Sequence, residues 1–172
     1  MNIAEILQDK LMKPKEKTEM LTMLLSGNTI TIDQLINFAS SAKDADKASC
    51  IEVVEHVSLK TPSIVNQDAF GFVTRSLAEK APRIKWESAR VVGNTAHLFE
   101  DQLEAAIRNL LENSEHAGTV VRWSAAYALG QIVKLKLPLN AELVPAVEAI
   151  AEREDKNSIR KIYLDALKKS KC

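Results

Sequence analysis

Ile84–Asn94 reads IKWESARVVGN and Val121–Gln131 reads VRWSAAYALGQ. The two stretches lie 37 residues apart. Each runs through an apolar residue, a basic residue, Trp, small residues, another apolar residue and Gly. The register continues in both directions. Downstream, Ser158–Lys168 (SIRKIYLDALK) places Ile159, Arg160, Leu164 and Leu167 where Val121, Arg122, Ala126 and Leu129 stand. Upstream, Lys47–Glu55 (KASCIEVVE) places Lys47, Ile51 and Val54 on the matching positions. A period of 37 to 38 residues with helical spacing inside each copy predicts helix pairs that stack into an α-solenoid, because one such pair cannot bury its apolar face alone.

Punctuation brackets ten helices. Asn2–Met12 is amphipathic and stops at Lys13–Pro14, since the residue before proline is pushed out of the helical region. Lys15–Ser26 follows and closes at Gly27–Asn28, where a left-handed residue can end a helix. Thr31 with Gln34 has the form of a capping box opening Ile32–Ala42. Then come Asp44–Ser58, a helix from Pro62 through Ser63–Lys80, Pro82–Leu98, Glu100–Asn113, Thr119–Lys136, Leu139–Glu154 and Lys156–Lys171. No Pro/Gly/Ser-rich linker interrupts them, so residues 1–172 are expected to form a single domain. Residues 1–28 would cap about four helix-pair repeats over 31–171.

Composition agrees and narrows the partners. Of 172 residues, 46% are hydrophobic, with 5 Gly and 5 Pro, as suits helices joined by short turns. Lys+Arg and Asp+Glu both number 23, so the chain lacks the overall positive charge of a duplex-wrapping protein. Cys50 and Cys172 form no disulfide framework, and the N-terminus lacks the basic and apolar regions of a signal peptide. No apolar run approaches the ~20 residues that span a bilayer. The expectation is a cytoplasmic protein with no membrane contact. His56, His97 and His116 lie in different elements without a second ligand at i+3 or i+4, so no metal site is implied. Nor is any cofactor: a Gly-rich phosphate loop, a CxxC pair and a Ser/His/Asp arrangement are all missing, which favours a non-enzyme.

Helical geometry at 100° per residue selects the outward face. With Val121, Ala125, Leu129, Ile132 and Val133 on the apolar side, Trp123, Tyr127, Gln131 and Lys134 lie roughly opposite. One repeat earlier the same places hold Trp86, Arg90, Asn94 and His97, and one earlier again Ala48, Glu52, His56 and Leu59. Adjacent inner helices pack ~10 Å apart, which makes Trp86 and Trp123 neighbours on one surface. Glu52, His56, Trp86, Arg90, Asn94, Trp123, Tyr127 and Gln131 are therefore the candidate binding residues. A competing reading buries one or both Trp rings between repeats, since an inner helix touches three neighbours.

The segment AELVPAVEAIAEREDKNSIRKIYLDAL, with Pro145 in the first helix and Ile159–Arg160 opening the second, resembles the HEAT-repeat pattern, as does LEAAIRNLL followed by VVRWSAAYALG. The resemblance covers about residues 31–171. It implies an all-α, right-handed solenoid of antiparallel helix pairs, with Asp44–Ser58, Pro82–Leu98, Thr119–Lys136 and Lys156–Lys171 lining the concave side. The proline occurs only as Pro145, and the turn Asp of the family is matched only by Asp44 and Asp155, so no regular Asp–Arg ladder is expected. The fold implies a non-enzymatic module that binds another protein or a peptide through its concave surface, its oligomeric state left open. The alternative is a nucleic-acid binder, because the sequence is also similar to the HEAT-like alkylpurine DNA glycosylases, whose Trp residues and acid Trp86, Trp123, Tyr127 and Glu87 could imitate. Tetrapyrrole lyases are a third use of such repeats.

Overall fold

The stacking of alternate helices along the chain sets the architecture. The computed structural model describes residues 1–171; Cys172 lies outside them. The ten α-helices are α1 (Ile3–Gln8), α2 (Pro14–Ser26), α3 (Ile32–Ser41), α4 (Asp44–Lys60), α5 (Gln67–Ser76), α6 (Pro82–Thr95), α7 (Glu104–Asn113), α8 (Thr119–Val133), α9 (Asn140–Arg153) and α10 (Asn157–Ser170). No strand occurs among the described residues. An inner row runs α2, α4, α6, α8, α10, and each of its helices from α4 onward also packs on the outer helix before it. This is an all-α solenoid. One cluster of buried side chains runs through it from Ile3 to Leu167.

Capping chemistry places the helix starts. Thr31 accepts the Gln34 amide N–H at 3.1 Å while the Gln34 side chain accepts the Thr31 N–H at 2.9 Å, the expected reciprocal box. Asn28, with φ 57°, supplies the left-handed residue after α2. Several expected boundaries move: α5 ends at Ser76 rather than Lys80 and α8 at Val133 rather than Lys136. The Asp9 carboxylate accepts the Leu11 N–H, so α1 ends at Gln8 rather than Met12. The Pro62 region is a short 3₁₀ turn, because Asn66 caps the Ala69 N–H and starts α5 at Gln67. Two 3₁₀ turns, Ala96–Leu98 and Glu100–Gln102, fill the space before α7.

The repeat also carries a ladder of basic residues that composition hid. Lys47, Lys85, Arg122 and Arg160 occupy one repeat position at spacings of 38, 37 and 38 residues. Lys47 pairs with Glu79. Lys85 donates to Asn113 Oδ1 and to the Leu77 carbonyl, both at 3.1 Å. Arg122 grips Glu154 through two nitrogens at 3.1 and 3.3 Å, and Arg160 donates to the Glu154 carbonyl at 3.0 Å. The rungs are not a regular series of Asp–Arg pairs: Glu79, Asn113 and Glu154 serve as the main acceptors instead. They sit where a turn carbonyl or carboxylate would otherwise lack a donor.

Glycine sets the helix spacing at two equivalent positions. A Cβ on Gly93 would lie 2.5 Å from the Tyr127 ring and 3.2 Å from the Ala128 backbone; one on Gly130 would lie 3.2 Å from Ala166 Cβ. The inner helices α6, α8 and α10 therefore approach at distances only a missing side chain permits. The next residue in this series is Lys168.

Candidate functional site

Helices α4, α6 and α8 present neighbouring polar and aromatic side chains at repeat-equivalent positions, and part of the expected patch assembles there. Glu55, Leu59, Arg90, Asn94, Trp123 and Tyr127 line a cleft of about 220 Å³. The Trp123 and Tyr127 rings, one helical turn apart on α8, lie nearly parallel, with centroids 6.1 Å apart and planes at 7°. The Arg90 guanidinium covers the Trp123 ring at 5.1 Å, a cation–π contact that fixes a long side chain. Trp123 is 36% exposed and Leu59 62% exposed, so an aromatic and an aliphatic surface face solvent together.

Asn94 differs from the expectation. It is 8% exposed, not turned outward, because it bridges three inner helices. Its Nδ2 donates to Ser58 Oγ at 3.0 Å and to the Glu55 carbonyl at 3.3 Å, and its Oδ1 accepts the Tyr127 hydroxyl. Asn94 thus forms the cleft floor and holds Tyr127 upright. The Tyr127 ring also occupies the space above Gly93, where a Cβ would meet two ring carbons. Gly93→Ala is expected to lower stability by ~1 to 3 kcal/mol through overpacking and to disturb the Trp123–Tyr127 pair. Urea titration and the near-ultraviolet circular dichroism of the aromatic residues would register the two effects.

The remaining candidates surround the cleft without lining it. Glu52 is paired with Arg83, and the exposed His56 lies 3.8 Å from Glu52 and 3.4 Å from Glu55. Trp86 is half-buried, its Nε1–H donating to Glu87 Oε1 at 3.1 Å. Gln131 lies in an adjoining depression with Lys134, Asp165 and Lys169. Trp123 thus reaches the surface, while Trp86 is half-buried.

Sequence reasoning missed Glu55, which shares its repeat position with Gly93. The signal available was its i+3 spacing from Glu52. Burial pushes its carboxyl up, with His56 and Arg90 opposing. Glu87 is 6% exposed and its Oε2 has no hydrogen-bond partner. Burial, then the neighbouring Glu52 charge, pushes its carboxyl up to about 7. The Cys50 thiol, buried and pushed up to about 12 by desolvation, is inert as a nucleophile.

No protein-family model matches the chain, and no curated protein matches it in sequence. Solved structures do match in fold. A designed armadillo repeat protein in complex with the peptide (KR)4 superposes with a TM-score of 0.74 at 15% identity, over 98% of this chain and 80% of that one. A computationally designed armadillo repeat protein for modular peptide recognition gives 0.74 at 13%, over 97% and 80%. The complex of CpcE and CpcF of phycocyanin lyase from Nostoc sp. PCC7120 gives 0.69 at 18%, over 96% and 99%. At these identities the likeness defines the class, a helical-repeat solenoid. Among the described residues no helix is long and apolar enough to cross a membrane.

Proposed function

We propose that the chain is a non-enzymatic interaction module of HEAT-like repeats that binds a protein or peptide segment at the cleft formed by α4, α6 and α8, on the concave side of the solenoid. The observation that carries this reading is the Arg90–Trp123–Tyr127 stack beside exposed Leu59. Trp, Tyr and Arg contribute most of the energy at protein interfaces, and here all three are held in place by their own chain before any partner arrives. Less side-chain entropy is then lost on binding. Pro145 inside α9 and the basic ladder support the HEAT-like assignment. Two solved relatives in fold are designed for, or bound to, peptides. The balance of 23 Lys+Arg against 23 Asp+Glu, with Glu55 in the cleft lining, favours protein over nucleic acid as the partner.

Affinity capture from a cell extract, followed by quantitative mass spectrometry, tests this with paired variants. Arg90→Ala is expected to weaken retention of the specific partner by more than ~1 kcal/mol with little change in melting temperature. Tyr127→Phe keeps the ring over Gly93 while removing its bond to Asn94, so it serves better than Tyr127→Ala, which empties packed space. Captured proteins that are retained equally by wild type and both variants would place the binding surface elsewhere. Duplex DNA should show no mobility shift at physiological salt.

A further inference from the structure

The outer row of helices leaves one groove open between neighbours. α3 packs on α5 and α5 on α7, but between α7 and α9 a groove of about 340 Å³ opens. Its floor is apolar, with Ile107, Leu111 and Leu143 among its side chains, and no Lys or Arg lines it. The rim carries four carboxylates, Glu100, Asp101, Glu104 and Glu142. Glu104 and Glu142 stand in the first turns of their helices, where a negative charge complements the helix dipole. That role accounts for two charges and leaves the partly exposed Ile107 and Leu111 of the floor unexplained.

The turn between α1 and α2, at the far end of the stack, has the converse chemistry. Leu11 is 94% exposed, more than any other large hydrophobic side chain among the described residues. Asp9 Oδ1 accepts the Leu11 N–H at 2.7 Å. The flanking Lys10 and Lys13 are exposed. An exposed apolar side chain between two ammonium groups, a knob, thus matches an apolar socket rimmed by carboxylates.

We propose that this turn of one copy of the chain docks in the α7–α9 groove of a second copy, Leu11 on the apolar floor and Lys10 and Lys13 against the rim carboxylates. Knob and socket are different patches at opposite ends of the stack, so the contact is heterologous. It closes where the rotation between copies allows, as a reciprocal pair or a larger ring, and otherwise propagates head to tail. Its buried area is small and its charges are at the surface, which makes it a weak association that salt suppresses.

Sedimentation velocity on the full chain, from micromolar to millimolar concentration at low and high salt, reads this directly. Wild type is expected to self-associate at low salt and to dissociate as salt rises. Leu11→Asp changes an exposed turn residue, and Glu104→Lys an exposed rim residue, so both variants should fold; each should lower the association constant roughly tenfold or more. The decisive sample is the mixture of Leu11→Asp with Glu104→Lys. The first retains a socket and the second a knob, so the mixture should form a one-to-one pair and nothing larger. Arg90→Ala, in the inner cleft, should associate like wild type, which separates this result from the fate of the proposed function. A wild-type chain that stays monomeric throughout, or self-association untouched by both variants, would overturn the proposal.

Discussion

Leu129→Ala is expected to destabilise the fold by ~2 to 5 kcal/mol, through lost burial plus the cavity left behind. Leu129 is fully buried on α8, the helix that packs against both α6 and α10. Its neighbours Ala125 and Ala126 are also fully buried. The walls of the vacated space therefore belong to three stacked helices pinned together by close glycine contacts, and such a site collapses poorly. Lys134→Ala, one turn beyond and outside the core, should stay within ~0.5 kcal/mol of neutral. Urea denaturation of the two variants measures the contrast. Similar midpoints would mean that the apolar face of α8 is wrongly assigned.

Glu87→Gln should stabilise the protein, and the gain should depend on pH. The Glu87 carboxyl is raised from its ordinary value of 4.5 to about 7 in the folded protein. Between those values the folded state binds a proton that the unfolded state has already released, so stability falls as pH rises through the window. Above pH 7 the buried carboxylate penalises the fold by its full amount, on the order of 3 kcal/mol, since each tenfold change in proton affinity is worth about 1.4 kcal/mol. Below about pH 4.5 the penalty is absent. The neutral amide keeps an oxygen for the Trp86 N–H and escapes the desolvation cost. Thermal melts of both proteins at pH 5 and pH 8 should show a larger advantage for the variant at pH 8. A constant difference would remove Glu87 as the titrating group.

Much of the fold was legible because it rests on repetition. Two Trp-containing segments set the period, and Thr31 with Gln34 or Pro82 set the helix starts with little dependence on tertiary contacts. Boundaries failed where a local side chain outcompeted the pattern. Asp9 ended α1 early, and Asn66 restarted the chain after Pro62, both by accepting a backbone N–H that periodicity does not see. The cleft was legible in part. A wheel drawn for one helix placed Arg90, Trp123 and Tyr127 on a common outward face, where they meet. The same wheel set Asn94 outward, yet Ser58 and Tyr127 from the helices on either side enclose it. Glu55 was missed because its i+3 spacing from Glu52 was the one signal for it, and its place in the cleft depends on the helix opposite.

The glycine series makes the repeats unequal as building blocks. Residues 82–118 form a unit whose Gly93 accepts a following helix at close range, so duplicating that unit within the chain should lengthen the stack without altering its pitch. A unit appended after α10 would meet Lys168 where α8 and α10 met glycine, and could seat at the same spacing only after Lys168→Gly. The direction in which this solenoid can be extended is thus written into one side chain per repeat.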